Sequence, residues 1–261
     1  MPGVRDRPGE APDRSIHPRP RPPDALPQGT EIFPAPRSRI TEGMAHVFVT
    51  GGTGYIGREL SARLVARGHA VRVLARQGSE ERVAAGCEVV PGDALDAESY
   101  SRAVPPCDTF VHLVGVPHPS PSKADQFRCV DLPSIRAAVS AARSAGVKNF
   151  VYVSVAHPAP VMKAYIEVRT EGEALIRGAG LTGTILRPWY VLGPGHRWPI
   201  VLVPVYWLLE LWPKTRDSAR RLGLISRPQM IAALIEAVEH PAAGLRVLEV
   251  PNIRNRLYRA Q

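Results

Sequence analysis

The run Thr50-Gly51-Gly52-Thr53-Gly54-Tyr55-Ile56-Gly57 is the part of this chain best suited to chemistry. Glycines at 51, 54 and 57 let the backbone turn tightly and come close to a bulky anion. When such a loop opens a helix, it presents free N–H groups and the positive end of the helix dipole to phosphate. The chemistry this spacing suits is the binding of a pyrophosphate, with Thr53, Tyr55, Ile56 and Arg58 in or beside the cradle. A second cation, Arg76, closes the next apolar run, Val71-Arg72-Val73-Leu74-Ala75. An acid at that place would hold a ribose 2′-hydroxyl and repel a 2′-phosphate, whereas an arginine pairs with the phosphate. The expected cofactor is therefore NADP, in preference to NAD.

These residues need a strand before the loop and a helix after it, and the pattern supplies both. Val47–Thr50 is a short apolar run. Tyr55–Arg67 has helical spacing, with Ile56, Leu60, Leu64 and Val65 on one side. Val71–Leu74, Glu88–Val90, Thr109–Val114, Phe150–Val153 and Thr182–Leu186 read as further strands, and Leu245–Val250 as a late one. Helices are expected over Ser134–Ala145, Ala164–Arg177 and Met230–Val238. Alternation at this spacing predicts an α/β fold, a doubly wound parallel sheet with helices on both faces. Continuous apolar strands fit the buried centre of such a sheet.

Composition removes other classes. With 44% apolar and 22% charged residues, the 261-residue chain is ordinary globular protein. No uncharged apolar stretch reaches the 18 residues of a membrane span. Cys87, Cys107 and Cys129 form no CxxC pair, which suggests a reducing, cytoplasmic setting. His118, His157 and His196 follow three successive strands but share no metal-ligand spacing, so no metal is expected. The net charge is +9, yet the 29 arginines are scattered and no nucleic-acid motif accompanies them, so no nucleic-acid partner is expected. Residues 1–43 hold 10 of the 27 prolines without apolar periodicity. They are expected to form a disordered tail ahead of a core at 44–261, and Met44 is an alternative start.

Six features make the core resemble the atypical and extended short-chain dehydrogenases/reductases, alongside NAD(P)-dependent epimerases and NmrA-like proteins. They are the glycine loop; Gly92-Asp93; Leu113-Val114-Gly115; the run from Gly146 to Ser154; Glu171-Gly172-Glu173; and Ile185-Leu186-Arg187-Pro188 with Gly193-Pro194-Gly195. The resemblance implies that Asp93 holds the adenine, with Ala94 beside the ring. It implies that Leu113, Val114 and Gly115 pass under the nicotinamide half and that Pro188 touches its amide. It assigns Ser154 to the substrate carbonyl and Tyr165 to the catalytic tyrosine. Arg169 stands where the family's YxxxK lysine belongs.

Tyr165 and Arg169, four apart, share one helix face. A neighbouring cation favours the phenolate form of a tyrosine, and such a phenol can pass a proton to a carbonyl oxygen. An arginine keeps the charge but cannot relay a proton. The resemblance implies that the region after the sixth strand, mainly residues 189–228, builds a substrate lobe. Within it, 200–212 is apolar and carries one acid, which suggests a small apolar substrate. The same segment could serve peripheral membrane contact or a homodimer interface. The leading expectation is an NADP-dependent oxidoreductase. The alternatives are a non-catalytic redox sensor or membrane-complex assembly factor, and a sugar-nucleotide epimerase or dehydratase.

Overall fold

The computed structural model describes residues 43–159, 161–193 and 222–255. Its seven-stranded parallel sheet contains β1 (His46–Thr50), β2 (Ala70–Ala75), β3 (Glu88–Pro91), β4 (Thr109–His112), β5 (Asn149–Val153) and β6 (Gly183–Arg187). After a separate parallel pair, β7 (Tyr190–Leu192) with β8 (Leu224–Ser226), the chain returns to the sheet as β9 (Leu245–Glu249). The spatial order is β3-β2-β1-β4-β5-β6-β9. The chain steps outward from β1 to β3, comes back to β4 beside β1, and then steps outward the other way. That reversal opens a crevice at the carboxyl ends of β1 and β4, where ligands of such sheets bind.

Among the described residues the α-helices are α1 (Gly57–Ala66), α2 (Ala124–Gln126), α3 (Leu132–Ser144), α4 (Lys163–Gly178), α5 (Arg227–Glu239) and α6 (Val250–Arg254). A π-helical segment, Phe127–Asp131, joins α2 to α3. Alternation along the strands divides the core between the two faces. Val47 and Val49 pack with Leu60 and Leu64 of α1 and with Ile231 and Leu234 of α5. Phe48 points the other way, among Phe110, Phe150, Ile135 of α3 and Ile176 of α4. The rings of Phe48 and Phe110 lie 5.2 Å apart, and those of Phe110 and Phe150 5.3 Å. Burying each such side chain contributes about 1.5–3 kcal/mol.

The doubly wound reading holds, with shifts at element ends. α1 begins at Gly57, so Tyr55 and Ile56 belong to the turn. β4 ends at His112, so Leu113–Gly115 is loop. The β7–β8 pair went unread because three-residue strands carry little periodicity. Arg254 donates from Nε to Leu224 O at 2.9 Å and ties α6 to β8. Residues 1–42 of the expected 1–43 tail, His196 and the apolar segment 200–212 lie outside the described residues. Among the described residues no helix is long and apolar enough to cross a membrane.

Candidate active site

The glycine loop sits at the carboxyl end of β1, on the crevice. Gly51 has φ +76°, and a Cβ there would press within 2.7–2.9 Å of the Leu113 and Val114 backbone. A Cβ on Gly57 would run into the Gly51 carbonyl, and one on Gly52 would lie 2.5 Å from Val73. Three glycines are thus required by close packing of loop, helix and strand, and the need at Gly52 came from a strand the sequence did not connect to it. Gly54 differs: its missing Cβ has only Gly51 O nearby, at 3.2 Å. That opening, ahead of the first α1 hydrogen bond (Arg58 N to Gly54 O, 3.0 Å), suits a phosphate. Thr53, Tyr55 and Ile56 are half-buried around it.

The other nucleotide-side residues line the same edge. Asp93 follows β3 and is exposed; its Oδ1 accepts from Leu95 N at 3.0 Å and its backbone is braced by Ser99. Ala94 is half-buried beside it. Arg76 follows β2, Arg58 lies in the first turn of α1, and both are exposed. Below the loop, the Thr50 hydroxyl meets His112 Nδ1 at 2.8 Å, and His112 Nε2 lies 3.4 Å from Ser134 Oγ. Full burial pushes the His112 imidazole down to about 3, so it stays neutral and bridges β1, β4 and α3. A histidine closing an otherwise apolar strand was the available signal for this contact.

Tyr165 and Arg169 come together as their spacing requires. Tyr165 is half-buried; its ring lies 4.8 Å from that of Phe127 and 5.1 Å from the Arg169 guanidinium carbon. Arg169 is buried. It donates from Nη1 to Val153 O at 3.0 Å, and from Nη2 to Asp131 Oδ1 at 2.6 Å and Val114 O at 3.3 Å. Asp131 Oδ2 accepts from Val116 N at 3.1 Å. Gly115 leaves the space the guanidinium crosses, since a Cβ there would strike Nη2. Asp131 carried no motif and was missed in the sequence.

Ser154 takes another partner. It is buried, and its hydroxyl donates to Glu173 Oε1 at 2.7 Å. Glu173 lies two turns beyond Tyr165 on α4, about 12 Å along the helix axis at 1.5 Å per residue. Arg187 grips the same carboxylate at 2.8 and 2.5 Å and reaches Glu249 at 2.8 Å, while His157 Nε2 stands 3.6 Å away. Burial alone would raise the Glu173 carboxyl, yet hydrogen bonds from Arg187 and Ser154 hold it below its ordinary value. Ser154 therefore joins an ionic knot at the ends of β5, β6 and β9. Pro188 is buried next to it, its carbonyl accepting from Ala156 N at 2.9 Å.

Beside Tyr165 lies a cavity of about 370 Å³ lined by Pro121, Phe127, Val161, Met162, Lys163 and Ala164. Met162, at φ 63°, holds a left-handed conformation directly before α4. Such strain is commonest near functional sites. A larger cavity, about 810 Å³, opens around Met44, Asp108 and Asn149 at the opposite, amino end of the strands, away from this chemistry.

Sheet order, glycine cradle and switch-point crevice define a doubly wound dinucleotide-binding protein. Across residues 51–201, more than half its length, the chain matches the NAD(P)H-binding family and belongs to it. It is similar to the ceramide reductase of Caulobacter vibrioides, 27% identical over 82% of this chain and 67% of that protein. It is also similar to the 4-hydroxy-2-methyl-3-oxo-4-farnesyl-3,4-dihydroquinoline-1-oxide ketoreductase of Stigmatella aurantiaca, 28% identical over 56% of this chain and 50% of that one. The chain thus spans about two thirds of the first relative and half of the second. The fold matches the NAD⁺ complex of the Bordetella bronchiseptica enzyme WbmH, with TM-score 0.59, 20% identity, and 78% and 74% of the two chains covered. It likewise matches an NAD-bound short-chain dehydrogenase/reductase superfamily protein from Agrobacterium tumefaciens, with TM-score 0.58, 21% identity, and coverage of 79% and 77%. Fold and family together place the chain among the NAD(P)H-binding proteins with a doubly wound parallel sheet.

Proposed function

We propose that this protein is an NADPH-dependent reductase of an apolar ketone, with Tyr165 as the proton donor. The observation that carries the reading is the largely apolar cavity lined by Tyr165 itself, whose ring rests on the Arg169 guanidinium. The volume fits the lower range of small-molecule sites. With its pyrophosphate held by the glycine cradle, a bound dinucleotide would supply hydride to the carbonyl carbon. Tyr165 gives its phenolic proton to the carbonyl oxygen and, being half-buried, regains one from solvent. Phe127, Met162 and Ala164 hold the apolar body of the substrate and exclude water. Names of relatives agree with an apolar substrate: ceramide, a farnesylated dihydroquinoline oxide, and, for a Mycobacterium tuberculosis protein 33% identical over 44% of this chain, a 3β-hydroxysteroid. Arg76 and Arg58, exposed at the ends of the second strand and the loop, support NADPH over NADH.

The test is NADPH oxidation at 340 nm with a panel of long-chain and polycyclic ketones. Tyr165→Phe is expected to lower kcat by about 10²–10⁴-fold while NADPH still binds. An unchanged rate would remove Tyr165 from the reaction. A second reading, a non-catalytic nicotinamide sensor, draws support from Ser154, whose hydroxyl is committed to Glu173. Binding of NADPH without turnover of any ketone would favour it.

A further inference from the structure

We infer that Arg169 and Asp131 form a buried strut that fixes Val114–Val116 beneath the nicotinamide half of the site, making Asp131 a positioning residue for hydride transfer. This rests on the reductase reading above. Only 6% of the Arg169 side chain and 1% of the Asp131 side chain are exposed. Both Arg169 Nη atoms already have acceptors, and Nε has neither a partner nor accessible surface. Three of the five guanidinium N–H groups are thus committed to the loop, to Asp131 and to the end of β5. These contacts run inward and are continuous. From Val153 O at the end of β5 they pass through Arg169 to Val114 O, and through Asp131 to Val116 N. The loop is therefore pinned on both sides of Gly115, the residue whose lack of a side chain lets the guanidinium through.

The π-helical turn belongs to this device. Phe127–Asp131 interrupts the regular helix at the point where Asp131 must reach the loop. Such turns are uncommon and gather at functional sites. The same turn supplies Phe127, whose ring packs on Tyr165. Arginine suits the part better than lysine because its planar fork spans several acceptors at once, whereas an ammonium is a compact point charge. A shift of the loop by 1 Å would misplace the reacting carbon, and misplacement on that scale costs on the order of a hundredfold in rate.

The experiment compares the wild-type chain with Asp131→Glu, Asp131→Asn and Arg169→Lys. Each is titrated with NADPH and with adenosine 2′,5′-bisphosphate, which lacks the nicotinamide half, and ketone reduction is followed in parallel. Asp131→Glu keeps the charge pair and is the variant designed to fold; Asp131→Asn leaves a buried cation unpaired. With Asp131→Glu, NADPH affinity is expected to fall about tenfold, on the order of 1.4 kcal/mol, with bisphosphate affinity unchanged. Its kcat is expected to fall more than KM rises. NADPH binding and kcat at wild-type levels in both Asp131 variants, with loss confined to Arg169→Lys, would overturn the strut and give Arg169 a direct hold on the cofactor. Equal loss of both ligands in Asp131→Glu would also overturn it. If the wild type binds NADPH but reduces no ketone, the reductase reading fails while the binding comparison still decides the strut.

Discussion

In the proposed NADPH-dependent reading, cofactor choice turns on single side chains at the rim of the crevice. Arg76 and Arg58 are exposed cations at the place where a 2′-phosphate would be met. Arg76→Asp is expected to weaken NADPH binding by about tenfold or more, the scale of a lost charge-assisted hydrogen bond, and to leave NADH binding nearly intact. Fluorescence titration with both nucleotides checks this, and equal loss for both would remove Arg76 from the discrimination. The glycines were legible in sequence because their spacing follows from local sterics. Asp131 was not, because its partner Arg169 is 38 residues away and no short motif marks a buried ion pair. Ser154 shows the converse: its position after β5 was readable, but its hydroxyl follows Glu173 and Arg187, whose convergence only the packed sheet reveals.

Elements were the most legible level. Short runs of apolar and β-branched residues gave all seven strands of the main sheet, and the order of strands and helices implied their parallel pairing. What escaped was geometry set by tertiary contact: the π-helical turn before α3 and the short β7–β8 pair. Helix α5 illustrates a boundary written locally. Ser226 Oγ accepts from Gln229 N at 3.3 Å, and Gln229 Oε1 accepts from Ser226 N at 2.8 Å, a reciprocal cap. Ser226→Ala is expected to cost about 1 kcal/mol. For a domain of this size that lowers the unfolding midpoint by about 2–4 °C, measurable by thermal melts followed by circular dichroism.

At the scale of the whole molecule, the sheet buries His112 at the centre of the crevice floor, and this links stability to pH. Its folded-state value is about 3, against an ordinary 6.5. The unfolded chain takes up a proton below pH 6.5 that the folded protein refuses until about pH 3, so this group costs stability progressively as pH falls through that window. Urea unfolding at pH 7 and pH 5 is expected to show the wild type losing about 2 kcal/mol more than His112→Gln over that interval. Equal losses would show that the imidazole does not carry the effect.

Deuterium tracing reads the proposed hydride transfer from a bound nicotinamide to an apolar carbonyl without an intermediate assumption. The chain is incubated with NADPH carrying deuterium on one face of C4 at a time, together with a ketone from the panel, and the product is read by mass spectrometry and NMR. Deuterium is expected on the carbinol carbon from one face alone, with transfer nearly abolished in Tyr165→Phe. NADPH that binds but keeps its deuterium with every ketone would contradict the proposed transfer and leave a nucleotide-binding protein without this chemistry.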